Sequence, residues 1–367
     1  MAVKTCQVRV DCTDFQRTLV LTPSLPVLAA PDLGRNDWER SLPPQVASAL
    51  RDRLYWGWEP QALGVACLSC RTECGPLATL ALTVMQDHGL FDSCAVEMLS
   101  ALNFFTALEA SYNNLPYHNA GHACDVLHVV HYILSASGAV SALRPHEVMA
   151  VLVAAAAHDV GHMGRNNAFH IATRSPLALR YNDVQVLENY HSATAFELMS
   201  RPAHNIAGGL DRQGEKTFRE LVIRIILSTD IGVHAGFMSE AKQMLSSNQT
   251  SWLACSDQSV RWAALRLIVK CADVSNIAKS IPHALRWGLA IMTEFFAQGD
   301  EERSLGLAVS PGCDRHTADV RTSQVAFQDA LATPMFQLLA AVLPSVGQPL
   351  LMQAQRTRDF FAGGRGE

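Results

Sequence analysis

"LPYHNAGHACDVLHVVHYIL", residues 115–134, places His118 and His122 four positions apart and His128 and His131 three apart. If the stretch is helical after Pro116, His118 and His122 share one face, about 6 Å from each other. Such a pair is a minimal set of metal ligands and equally two polar residues on a helix, so the rest of the chain decides its meaning. "VMAVLVAAAAHDVGHMGRNNAF", residues 148–169, runs an unbroken apolar segment into His158, Asp159 and His162. The segment is about half the length needed to cross a bilayer and reads as a buried helix. An imidazole and a carboxylate at its end need hydrogen bonds or a metal, because a buried unpaired charge costs several kcal/mol. Taken alone, a capped helix end would also account for them. "LIVKCADVSNIA", residues 267–278, delivers Asp273 after another apolar run, and "YNDVQVLENYHSA", residues 181–193, sets Glu188 three positions before His191.

Polar residues at core-like positions on four separate segments are costly unless they converge. Two imidazoles and two carboxylates, His122, His158, Asp159 and Asp273, make a suitable set for zinc with positions left open for water. Asp159 can also bridge to a second, harder ion with a mostly aqueous shell, as magnesium prefers.

The remainder of the 367 residues narrows the possibilities. Lys+Arg of 29 against Asp+Glu of 34 gives a net charge of −5 with no basic cluster, so a nucleic-acid polymer is not an expected partner. No membrane span is expected either. "MAVKTCQVRVDCTDF" at the N-terminus lacks a signal-peptide pattern, so the ten cysteines are expected as reduced thiols in a cytoplasmic protein. Cys67, Cys70 and Cys74 cluster without a fourth ligand and read as free thiols rather than a zinc site. "VRVD" and "TLVLT" alternate like short strands, and a Pro-rich stretch follows, so residues 1–40 read as an N-terminal extension. From about Ser41 the signals are helical. Pro145 suits a helix first turn, Gly138 a helix stop, and residues 215–245 and 283–299 carry apolar residues at helical intervals. The fold expected is all-α, with more than ten helices and no large sheet, over residues 41–355, followed by a tail at 356–367.

The blocks "YHNAGHACDV", "HDVGHMGRNNAF", "YNDVQVLENYHSA", "KCADVSN", "EFFAQGD", "LGLAVSPGCDR" and "SQVAF" occur in an order and spacing that resemble the class I cyclic nucleotide phosphodiesterase catalytic domain. The resemblance covers nearly the whole chain from Ser41 to Gln355. It implies three packed helical subdomains around a two-metal pocket. It also implies hydrolysis of cAMP to the 5′-monophosphate, with cGMP as a candidate second substrate. By the same resemblance His118 matches the general acid, and His122, His158, Asp159 and Asp273 match the ligands of a tight metal, usually zinc. Asp159 further matches the direct ligand of a second ion, usually magnesium or alternatively manganese, whose water shell His162, Glu188 and Thr229 would hold. On its own, Thr229 would be a helix residue bonding back to its own turn. His128 and His131 match no site and are left structural. Glu294 matches the carboxylate that keeps the acid protonated.

That chemistry needs these residue types. Two cations neutralise a phosphodiester and lower the pKa of a bridging water. The ribose 3′ oxygen is a poor leaving group and requires a proton as the bond breaks. Gln324 and Phe327, three apart in "TSQVAFQDAL", share a helix face: an amide for a purine edge beside a ring for its plane. The resemblance makes Gln324 the purine-selecting residue and Phe327 one jaw of a hydrophobic clamp. Ile291 is the other jaw, Asn276 a position associated with adenine preference, and Tyr117 a further substrate-binding residue. An amide can flip, so Gln324 alone does not separate adenine from guanine. Small-molecule inhibitors are expected in the same pocket.

Ala326, Tyr190, Gly312, Ile277 and Ala284 depart from residues frequent in the family. Gly312 and Ala284 suggest a wider pocket wall. Two alternatives stand beside the phosphodiesterase reading: another metal phosphohydrolase built on "HD" pairs, which leaves "SQVAF" unexplained, and a catalytically silent cyclic-nucleotide sensor or scaffold.

Overall fold

The computed structural model describes residues 75–247, Trp252 and 255–363. The expected N-terminal extension, its strand-like stretches and the Cys67, Cys70 and Cys74 cluster lie outside the described residues. Among those described, the secondary structure is helical without a strand. The helices are α1 (Pro76–Asp87), α2 (Leu90–Ser93), α3 (Met98–Ala110), α4 (Ala120–Ala136), α5 (Pro145–Ala157), α6 (Asn167–Ala172), α7 (Pro176–Arg180) and α8 (Val186–Met199). They continue as α9 (Arg212–Thr229), α10 (His234–Ser247), α11 (Gln258–Asp273), α12 (Ile281–Ser304), α13 (Val320–Phe327), α14 (Thr333–Val342) and α15 (Pro344–Phe361).

Local chemistry sets the ends. Asn119 caps α4 by accepting from the Gly121 and His122 N–H groups, which leaves His118 outside the helix. The expected single helix after Pro116 is therefore corrected: residues 116–119 form a bend, and only His122 is helical. Gly138 sits at φ +72°, the left-handed conformation that stops a helix cheaply only as glycine. Pro145 opens α5, where the Glu147 carboxylate accepts the Arg144 N–H at 3.1 Å. Residues 215–245 divide at Asp230, whose side chain accepts the Gly232 N–H at 2.7 Å and turns the chain from α9 into α10.

α5 is the core element. Every residue from Val148 to Ala157 is at most 2% exposed, flanked by α4 on one side and α9 on another. Each buried Val, Leu or Met there contributes roughly 1.5–3 kcal/mol, and the alanine run lets neighbours approach closely. A helix wrapped on all sides can end only inside the protein, so His158 and Asp159 emerge at the centre. α15 runs through the expected boundary at 355, with Thr357 at 0% and Phe361 at 3% exposure. Residues 356–361 thus belong to the helical body rather than to a tail. One continuous helical stretch, Val320–Val342, is long and apolar enough by composition to cross a bilayer; it carries Gln324 and Phe327.

Candidate active site

Three helix ends and one bend meet at the core. His122 comes from the first turn of α4, His158 and Asp159 from the end of α5, and Asp273 from the last residue of α11. One ligand atom from each lies within 4.8 Å of the others. His122 Nε2 is 3.1 Å from Asp273 Oδ1, and His158 Nε2 is 3.1 Å from Asp159 Oδ2 and 3.3 Å from Asp273 Oδ1. The two Nε2 atoms face each other at 3.3 Å.

The donor set fits a divalent cation. His158 Nδ1–H donates to the Ala155 carbonyl at 2.9 Å, which leaves the Nε2 lone pair aimed at the cluster. Burial disfavours a charged imidazole, yet Asp159 and Asp273 hold the proton affinity of His158 well above its ordinary value. Both carboxylates are themselves held below theirs, against burial, by His158 and the surrounding imidazoles. Two carboxylates and two inward-facing nitrogens in a buried space require positive charge, which a four-ligand metal supplies.

His191 and His162 line the outer side. His191 Nδ1–H donates to the Val160 carbonyl at 2.7 Å, and its Nε2 lies 3.8 Å from Asp159 Oδ1. Burial pushes His191 down to about 4, so it is neutral near pH 7. His162 Nδ1 accepts the Gly164 N–H at 2.9 Å, so the neutral ring carries its proton on Nε2 and is a donor there. Glu188, in the first turn of α8, accepts from Asn167 Nδ2 at 2.9 Å, and burial pushes it up to about 7. Thr229 Oγ1 donates to the Ile226 carbonyl at 2.8 Å; the back-bond expected from sequence is present, and the hydroxyl keeps its lone pairs for accepting.

His118 is organised differently. Its Nδ1 lies 2.6 Å from Glu294 Oε2, while Glu294 Oε1 accepts the backbone N–H groups of Tyr117 at 2.6 Å and His118 at 2.9 Å. Burial works against a charged ring here too, but the Glu294 hydrogen bond and charge, with Asp159 and Asp273 behind, raise the His118 pKa. The same hydrogen bonds lower that of Glu294 despite its burial. His162 stacks on His118 with ring centroids 3.9 Å apart. Burial, and then the His118 charge, hold His162 well below the ordinary range. The proton affinities of two touching imidazoles are therefore pushed in opposite directions.

The expected purine residues lie on α12, α13 and the turn after α11. Gln324 is buried, and its carboxamide carbon lies 3.4 Å from where a Cβ on Gly288 would stand. Gln324 on α13 thus packs over Gly288 of α12 at a distance that leaves room for ordinary van der Waals contact. Ile291 and Phe327 are half-buried, Asn276 is buried in the Ser275–Ala278 turn, and α13 passes directly into a π-helical segment, Gln328–Ala332. Tyr117 is mostly buried, its ring against His122 at 4.6 Å and Trp287 at 5.3 Å. Its backbone N–H, rather than any feature legible as ligand binding, ties it to Glu294. Gly312 is exposed at φ +79° with open space around its Cβ direction. Its glycine also meets a backbone requirement, since φ there lies in the left-handed region. Ala284 is buried on α12. Tyr190 covers Gly161, where a Cβ would fall 2.9 Å from its ring.

Several supporting residues escape a reading of the sequence. Asn167 bonds Glu188 and also accepts the Leu187 N–H at 2.9 Å, and Asn113 donates to the His162 carbonyl at 2.8 Å. Lys270 Nζ donates to the Ser228 carbonyl beside Thr229. Only the "NN" of "GRNNAF" hinted at any of these.

The sequence model of the 3'5'-cyclic nucleotide phosphodiesterase family matches residues 117–353. The chain is 36% identical over 343 residues to 3',5'-cyclic-AMP phosphodiesterase 4C of Rattus norvegicus, covering 92% of this chain and 62% of that protein. It is 36% identical over 290 residues to 3',5'-cyclic-AMP phosphodiesterase, isoform F, of Drosophila melanogaster, covering 78% and 44% respectively. The chain thus spans less than two thirds of these curated relatives. The crystal structure of the phosphodiesterase domain of the RhoPDE fusion protein from the choanoflagellate Salpingoeca rosetta superposes with a TM-score of 0.74 at 28% identity, covering 78% of this chain and 90% of that one.

Proposed function

Because the chain belongs to the 3'5'-cyclic nucleotide phosphodiesterase family, we propose that it hydrolyses cAMP to 5′-AMP at the cluster of His122, His158, Asp159 and Asp273. The observation that carries this reading is the pairing of that cluster with a separate, carboxylate-backed imidazole, His118 on Glu294. cAMP is favoured over cGMP because the relatives named above are cyclic-AMP phosphodiesterases and because Asn276 stands at the adenine-associated position. cGMP as a second substrate is the finer question for the assay. Zinc at the tight site suits the nitrogen and carboxylate set. Magnesium or manganese suits a second position built from Asp159, the His162 donor, Glu188 and Thr229.

Divalent ions held by these residues would supply Lewis-acid stabilisation of the phosphoryl oxygens and a more acidic bound water. The side chains supply the rest. His118, charged through Glu294, presents Nε2–H to the ribose 3′ oxygen as the phosphorus–oxygen bond breaks, and Glu294 holds Nδ1 so that the other nitrogen carries the transferable proton. His162 stays neutral beneath it and donates from Nε2 without competing for that proton. Gln324 bonds the purine edge while Phe327 and Ile291 enclose its plane, the same pocket in which small-molecule inhibitors would bind. A cytoplasmic location belongs to this reading, in keeping with Cys94, Cys271 and Cys313 standing as thiols.

The test is release of 5′-AMP and 5′-GMP from the cyclic nucleotides, with magnesium and with chelator, for this chain and for His118→Ala and Asp159→Ala. Metal-dependent turnover lost in both variants supports the reading. A folded, metal-loaded chain that binds cAMP without turnover makes it a sensor, the alternative that keeps the pocket and discards the chemistry.

A further inference from the structure

The second pair of histidines on α4 has a partner set of its own. His131 is 1% exposed and faces the end of α1, where its Nδ1 lies 3.0 Å from His88 Nε2. Its Nε2 lies 4.0 Å from Asp87 Oδ2, whose side chain is 42% exposed. One ligand atom from each of Asp87, His88 and His131 falls within 4.8 Å of the other two. His131 lies nine residues beyond His122, about 13 Å along the helix at 1.5 Å per residue, so these groups share nothing with the catalytic cluster.

We propose that Asp87, His88 and His131 form a separate site for a borderline divalent ion such as Zn2+, joining the C-terminal end of α1 to the middle of α4. Two imidazoles and one carboxylate are a ligand set for zinc, copper or nickel, whereas magnesium takes oxygen ligands. Asp87 is the last residue of α1, where the carbonyl ends of the helix favour a cation. Burial lowers the pKa of both rings, so each is in its neutral, ligating form near pH 7. The exposed Asp87 side gives solvent access and leaves a coordination position for water. A hydrogen bond between His88 and His131, with Asp87 near the other ring nitrogen of His131, is the competing account of these contacts, and zinc content separates the two.

Zinc content is measured by atomic emission after equilibrium dialysis of the full chain against low micromolar Zn2+, for the wild type, His88→Ala and Asp87→Asn. The expected result is one zinc fewer per chain in His88→Ala, and weakened retention in Asp87→Asn. Turnover in both should stay within about twofold, which shows that the fold and the catalytic ions are intact. In an Asp159→Ala background Zn2+ should still raise the thermal midpoint, and adding His88→Ala should abolish that rise. Equal zinc content in wild type and His88→Ala, or a thermal response unchanged by His88→Ala, overturns the site.

Discussion

The two halves of the active site are built on opposite plans. On the metal side each side chain is held by several partners: His158 touches a carbonyl, two carboxylates and another imidazole, and Glu294 accepts three hydrogen bonds. On the purine side the residues sit on two helices that approach across Gly288, and shape does most of the positioning. The metal side resembles a lattice of charges in which removing one member strands the others. The purine side resembles a slot whose walls can be altered singly.

If this contrast is right, substitutions should fall in a definite order. Asp159→Ala and Asp273→Ala should cost the most, roughly 1000-fold or more in turnover, because several kcal/mol of charge stabilisation leave with the metal. Loss of tightly bound metal in dialysis would accompany it, and turnover within tenfold of wild type would break the comparison. His118→Ala should lower kcat by about 10²–10⁴ with little change in KM and with metal content retained, since only proton delivery is lost.

Glu294→Gln sharpens the same half through pH. His118 acts as its charged form, present below its pKa and lost as pH rises through it. Glu294 raises that pKa, so replacing it with the neutral amide lowers it. The basic limb of the kcat profile should therefore move to lower pH, a shift that a merely structural defect would not produce. Gln324→Ala, on the slot side, should raise KM about tenfold for the preferred nucleotide, the worth of one or two hydrogen bonds, and narrow the cAMP to cGMP ratio. Gly312→Met should be the smallest at the site. It places a side chain at φ +79° and should lose about 1–2 kcal/mol of stability in denaturant titration, with the affinity of a bulky inhibitor unchanged.

The same contrast explains what the sequence disclosed. His122, His158, Asp159 and Asp273 stood out because each ends an apolar run or opens a helix, and a polar residue placed there must answer for its burial. Helices with strong caps, such as the one opened by Pro145, were equally plain. Pairings across long separations were not. His118 and Glu294 lie 176 residues apart, and without the resemblance nothing local marks Glu294 as other than a surface charge. Asn119 appears in the sequence as one more polar residue between two histidines. In the fold its capping bonds start the helix at Ala120, two residues beyond His118, which frees that ring to turn toward α12. Gly312 shows in the sequence only as missing bulk, and its positive φ is visible only in the fold.

The carboxylate of Glu294 has a consequence beyond proton affinity. One side chain on α12 grips two main-chain amides of the 115–119 bend and orients the His118 ring, the proposed acid. The arrangement is an interlock: whenever α12 and the bend separate, by thermal breathing or by a ligand forcing them apart, the acid is disarmed in the same event. Turnover then reports on local integrity, and the hydrogen exchange of the Tyr117 and His118 amides should follow the fraction of molecules competent to react.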